Sequence, residues 1–176
     1  MICNKIIDKG HLFVSSNKYI VDTNVLISLY GNKFYVQQIK TNPKLNDAVN
    51  YYNKALNQGC TVFVPAVVLS EFVNLFFSCQ WKELKEKNPG KYKDKKKDYR
   101  DTPEYIKDCN YIKGVIEQSI LSVLTPIDDD FSQLSFEQMF KFDNDDFNDR
   151  LIIHIANKNN LYVISADVDV KKIAIK

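Results

Sequence analysis

The stretch Tyr19-Ile20-Val21-Asp22-Thr23-Asn24-Val25 decides the reading of this chain. An apolar run stops on a carboxylate, and residues compatible with a helix follow. This pattern predicts a strand at 19–21, a helix at 23–30, and Asp22 at the carboxyl end of the strand. In an open parallel sheet, ligands bind just beyond that end, so an acid placed there faces a site and not the core.

The alternation continues on the C-terminal side. Residues 47–57 read as a helix ended by Gly59, residues 61–64 as a β-branched and aromatic strand, and residues 66–78 as a helix opened by Pro65. Residues 103–118 read as a helix, 122–124 as a short strand and 131–140 as a short helix. A helix at 145–157 follows, then a strand at 161–164, and 171–175 reads as an edge strand. Strands separated by helical lengths pair in parallel through right-handed crossovers. The expected fold is therefore α/β, a three-layer α/β/α sandwich with a central, mostly parallel sheet. A chain of 176 residues, 45% of them hydrophobic, suits a single domain with one sizeable core. Residues 82–101 break the pattern, being rich in Lys with Pro89, Gly90, Tyr92 and Tyr99 interspersed. They read as an insertion, either a mobile loop or part of a helical arm.

Composition excludes several classes of function. A formal charge of +2 is too near zero to imply nucleic acid or membrane by itself. Cys3, Cys60, Cys79 and Cys109 lie far apart, without CxxC spacing and with only His11 and His154 to help, which argues against zinc. Residues 1–17 include Asp8 and Lys9 and lack the apolar core of a signal peptide. No run approaches the roughly 18 apolar residues of a membrane span. The expectation is a soluble, cytoplasmic protein with reduced thiols. Neither GxGxxG nor GxxxxGK[ST] is present, and no Ser/His/Asp arrangement competes.

Acids recur near predicted sheet ends. On the 66–78 helix, Glu71 shares a polar strip with Ser70, Asn74 and Ser78. Taken alone, it reads as a solvated residue, and only other acids pointing to the same place change that. On the 145–157 helix, Asp146, Arg150, His154 and Asn157 form one stripe, which reads as the solvent face, with Asp146 spaced to pair with Arg150. Asp149 lines up instead with Ile152, Ile153 and Ala156, where a carboxylate needs a partner because burying an unpaired charge is costly. Asp145 lies on the same side and is a weaker candidate. The last strand runs into Ser165-Ala166-Asp167-Val168-Asp169, placing Asp167 just past a strand end, whereas Asp169 also fits a turn. Asp22, Glu71, Asp149 and Asp167 thus form a candidate group. Gathered carboxylates repel one another and normally hold a cation. Hard oxygen donors favour Mg²⁺ or Mn²⁺, and the chemistry they serve best is phosphodiester hydrolysis.

Four motifs in order carry a resemblance: Val21-Asp22-Thr23-Asn24, then Pro65 followed by Ser70-Glu71-Phe72, then Asn148-Asp149-Arg150-Leu151-Ile152, then Ile164-Ser165-Ala166-Asp167. Together they resemble the PIN-domain ribonucleases, the fold of the VapC toxins of type II toxin–antitoxin systems. The resemblance spans residues 19–170. It implies a metal-dependent endoribonuclease in which Asp22, Glu71, Asp149 and Asp167 hold Mg²⁺ or Mn²⁺. It also implies that Asn24 orients the first aspartate, that Ser165 supports the site, and that a homodimer is restrained by a cognate antitoxin. Three features depart from the family pattern. Val168 stands where Phe is common, residues 82–101 lengthen the chain, and the C-terminus follows the last motif closely.

The charge layout bears on substrate. Basic residues outnumber acidic ones in 82–101, whereas 128–149 is acidic apart from Lys141. An acidic metal site repels a phosphate backbone unless cations offset it, so Lys95, Lys96 and Lys97 are candidate RNA contacts, with Tyr92 and Tyr99 as stacking platforms. A solvated loop is the other reading. Two further functional readings stand beside the nuclease. A haloacid-dehalogenase-type phosphatase needs a general acid two positions after the first aspartate, where Asn24 cannot donate and recover a proton. A PIN-like module that binds RNA or protein without cutting fits the same residues.

Overall fold

The computed structural model describes residues 6–7, 9–31, 41–129, 131–139, 146–167 and 170. Strand β1 (Lys18–Val21) passes into helix α1 (Thr23–Tyr30), and α2 (Pro43–Asn57) leads to β2 (Thr61–Pro65). The 22-residue α3 (Ala66–Lys87) is followed by a short α4 (Lys95–Asp98) and by α5 (Pro103–Val115), which continues as a π-helical turn (Ile116–Ile120). Strand β3 (Thr125–Ile127), a 3-10 turn (Phe131–Gln133), α6 (Phe136–Met139), α7 (Phe147–Lys158) and β4 (Tyr162–Ile164) complete the described elements.

The strands form a parallel sheet in the order β3-β2-β1-β4. Tyr19 lies beside Val62 on one side and Tyr162 on the other, and Val21 beside Ile164. Helix α1 packs on α2 and α3, and α3 on α5, while α7 packs against β1, β4 and α6. The architecture is the expected α/β sandwich with a parallel central sheet. Tyr19, Ile20, Leu26, Phe72, Phe76, Ile152 and Ile155 fill one core on both faces of the sheet. Burial of that apolar area is the main force holding the layers together.

Two matching helix ends aim strands into the sheet. After α2, Gly59 sits at φ 68°, with Gly59 N donating to Leu56 O and Cys60 N to Ala55 O. After α7, Asn160 takes φ 58°, with Asn160 N donating to Asn157 O and Leu161 N to Ala156 O. Both are Schellman caps, which reverse the chain and satisfy carbonyls that the helix leaves open. Each strand then runs toward the edge where β1 ends at Asp22. The order places β2 and β4 on opposite sides of β1, so that edge is the topological switch point.

Several expectations are corrected. The strand expected at 122–124 is a turn, and the strand is Thr125–Ile127, carrying Pro126. Pro is admitted there because β3 ends the strand order, with no strand beyond it among the described residues. Helix α2 begins at Pro43 rather than 47, with the Asn42 side chain accepting from Lys44 N and Leu45 N. Helix α3 runs beyond 78 to Lys87, so much of the Lys-rich segment is helical. The helix expected at 131–140 is two short turns. Helix α7 starts at Phe147 because Asp146 caps it, accepting from Asn148 N at 2.8 Å; Asp146 is exposed as expected, whereas Arg150 is half-buried. His154 is half-buried, with Nε2 enclosed, and not a surface residue. Tyr92 and Tyr99 are buried, so they are not stacking platforms; Tyr99 OH donates to Asp108 Oδ2 at 2.5 Å. The edge strand expected at 171–175 lies outside the described residues. Among those residues no helix is long and apolar enough to cross a membrane, and Cys60, Cys79 and Cys109 are free thiols.

Candidate active site

Asp22 ends β1 and caps α1 at once. Its backbone N extends the ladder to Ile164 O at 3.1 Å, and its Oδ1 accepts from Thr23 N at 2.6 Å. Its Oδ2 accepts from Asn24 Nδ2 and from Ser165 Oγ, each at 2.5 Å. A charge at a helix N-terminus with three donors is well placed to stay ionised. Burial nonetheless raises its pKa to about 6; the Ser165 and Thr23 donors pull downward, while the charges of Glu71 and Asp167 push upward.

Asn24 ties β1 to β4. Its amide also donates to Ser165 Oγ at 3.2 Å, and its carbonyl accepts from Ala166 N at 3.2 Å. Ser165 Oγ accepts in turn from Asp167 N at 2.9 Å. One hydroxyl thus donates once and accepts twice, the full capacity of its type. This fixes the turn that presents Asp167 beyond the end of β4.

Glu71 reaches the same place from α3. Its Oε2 accepts from Thr23 Oγ1 at 2.9 Å and from Asn148 Nδ2 at 3.4 Å, linking α3 to α1 and α7. Asp149 stands half-buried on the first turn of α7. Burial raises its pKa to about 7, and the charges of Asp22, Asp167, Asp146 and Glu71 add to the rise. The fold therefore brings Asp22, Glu71, Asp149 and Asp167 to one locus at the switch point.

Thr23 and Asn148 were missed from the sequence, although each adjoins a candidate acid, and both hold Glu71. Asp129, past the end of β3, was missed as well. Its Oδ2 accepts from Val67 N at the start of α3, and burial raises its carboxyl above the usual range. Asp145 and Asp169 lie outside the described residues. Lys95 Nζ donates to Ser78 Oγ at 2.7 Å, Lys97 is exposed, and the Lys96 side chain is not among those described.

A divalent ion fits the site in donor type and in charge. The candidate donors are hard carboxylate oxygens; burial raises two of them, and the neighbouring negative charges add to the rise. Among the described residues, no three acidic, imidazole or thiol groups are yet drawn into a coordination set. Asp22 and Glu71 are turned instead onto amide and hydroxyl donors. A cavity of about 510 Å³ lies elsewhere, between α3 and α5, lined by Phe76, Gln80, Glu83, Glu104 and Tyr111 among others. It contains none of the four acids. Comparison of the chain with protein-family models, with curated proteins and with solved structures finds no match.

Proposed function

We propose that this protein is a metal-dependent endoribonuclease that hydrolyses RNA phosphodiester bonds. The observation that carries the reading is the approach of four carboxylates to one another at the switch point of a parallel sheet, where burial, reinforced by charge repulsion, raises Asp22 and Asp149 together. Asp22, Glu71, Asp149 and Asp167 would hold Mg²⁺ or Mn²⁺, which when bound activates water and stabilises the leaving oxygen.

The chain's own residues do the rest. Asn24 and Ser165 keep Asp22 pointed at the locus, and the Ser165 turn holds Asp167 beside it. Thr23 and Asn148 restrain Glu71, which would give up one of these donors to hold an ion. The four-motif resemblance supports extending the reading to the toxin of a toxin–antitoxin pair, acting as a homodimer in the cytoplasm under a cognate antitoxin.

A second reading fits the same residues, whose Asp22 and Glu71 carboxylates are engaged by hydroxyl and amide donors: a PIN-like module that binds RNA or protein without cutting. One experiment separates the two. Purified protein, freed of any co-purifying partner, is incubated with cellular RNA in Mn²⁺ or Mg²⁺, beside EDTA and Asp149→Asn controls. The nuclease gives discrete fragments that vanish in both controls. RNA left whole by folded, metal-loaded protein overturns it in favour of the binding module.

A further inference from the structure

We propose that Lys82, Lys95 and Arg100 form a phosphate-binding site for single-stranded RNA on the stripe of α3 that begins at Glu71, holding the substrate a few nucleotides from the bond that is cut. This rests on the nuclease reading for its register but not for its binding.

Glu71, Asn74, Ser78 and Lys82 follow one another at steps of three, four and four residues, so they share one face of α3. At 1.5 Å per residue, Ser78 lies about 10 Å and Lys82 about 16 Å along the axis from Glu71. The short helix α4 folds back onto this face. Ser78 Oγ donates to Asn74 O at 2.7 Å and accepts from Lys95 Nζ at 2.7 Å, which pins the Lys95 ammonium over the stripe. An ammonium carries three donors, so two remain for a ligand.

Two cations stand near Lys95. Burial lowers its pKa and the Arg100 charge lowers it further; the Cys79 thiol opposes this, and the Lys82 charge adds to the fall. The ion pairs of Lys87 with Glu83 and of Lys113 with Glu117 involve none of the three. Crowding cations without an acid costs free energy, and a polyanion returns it. Other basic residues of the segment are engaged differently: Lys85 lies over the Trp81 ring and Lys91 over that of Tyr92. Buried Tyr92 and Tyr99 hold the segment down, so the site is presented by a packed scaffold. A strand leaving the acids along this face passes Asn74 and then meets the cations.

The test uses the full chain, a fluorescent oligouridylate and anisotropy across a salt series in EDTA. The Lys82→Ala/Lys95→Ala/Arg100→Ala variant is expected to lose about tenfold in affinity at low salt. Its log K against log salt slope falls in magnitude by about 2, since each phosphate contact on a single strand contributes about 0.7. A charge-matched control, Lys18→Ala/Lys44→Ala/Lys54→Ala on β1 and α2, keeps most of both. Lys82→Glu, a single change on an exposed helical position, is expected to weaken binding without altering the melting temperature, which covers the case of a poorly folded triple variant. Equal losses in variant and control, or unchanged affinity and slope in Lys82→Glu and the triple variant, overturn the site. So does a defect confined to a fluorescent oligoglutamate peptide, which assigns the cations to an acidic protein partner. Wild-type cleavage of the same oligonucleotide in Mn²⁺ is scored separately. Binding without cleavage rejects the nuclease reading alone, and cleavage with unchanged variant binding rejects this site alone.

Discussion

Ser165 is the residue on which the state of Asp22 turns. Its hydroxyl donates to Asp22 Oδ2, and of the donors to that carboxylate it contributes the largest downward pull. Ser165→Ala removes that donor while leaving the burial of Asp22 and the Glu71 charge in place. The Asp22 carboxyl, already at about 6, is therefore expected to rise further, by roughly one unit if the lost bond contributes about 1.5 kcal/mol. Carboxyl titration by carbon NMR reads this directly, and an unchanged or lower value contradicts the hydrogen-bond account. The acids themselves were legible because strand ends and helix faces are encoded by local periodicity. Asp22 and Asp167 follow apolar runs, and Asp149 shares a face with Ile152 and Ala156. Thr23 and Asn148 were not legible as supports of Glu71, because the contact joins residues 48 and 77 positions apart and depends on how α3 packs. Their adjacency to Asp22 and Asp149 is the only trace in the sequence.

Helix α3 and the segment after it show where element reading works and where it stops. The start of α3 was legible from Pro65, but its end was not, because the apolar pattern fades at Cys79 while helix-favouring Lys, Glu and Leu carry it on to Lys87. Residues 88–101 look like a mobile loop by composition, yet Tyr92 and Tyr99 are buried. Tyr99 bonds to Asp108, packs edge-on against Tyr105, and thereby anchors the segment to α5. Tyr99→Ala removes the ring and the hydroxyl together. By analogy with large-to-small core changes it is expected to cost about 3 kcal/mol, and to free the lysines at 91–97. Limited trypsin digestion checks this: the wild type should resist cleavage there and the variant should be cut early. Equal resistance in both would show that Tyr99 is not the anchor. The misplaced third strand has a similar origin, since Ile116–Ile120 winds as a π-helical turn and Pro126 is tolerated only because β3 lies at the edge.

At the scale of the whole molecule, the acidic locus stores a conflict whose sign can be measured. Asp22 and Asp149 have folded-state pKa values raised to about 6 and about 7, above the roughly 3.9 of an unfolded aspartate. A raised carboxyl favours the protonated folded state, so its contribution to stability is present below about pH 4 and is lost as pH rises to about 7. Metal-free protein is therefore expected to lose stability between pH 5 and pH 7.5, by about 2 kcal/mol once shared repulsion and solvent at half-exposed Asp149 are allowed for. For a chain of this size that is a fall of roughly 4 to 8 °C in melting temperature. Asp149→Asn removes one of the repelling charges, so the metal-free variant should melt higher than the wild type at pH 7.5 and show a flatter pH profile. Mn²⁺ at a hundred times its dissociation constant should return about 2.7 kcal/mol to the wild type at pH 7.5. It should return much less to the variant. Substitution at a purely structural acid would lower stability at every pH and leave any metal response intact. A variant that is both more stable without metal and less responsive to it is the signature of a carboxylate kept for binding a cation at the cost of the fold.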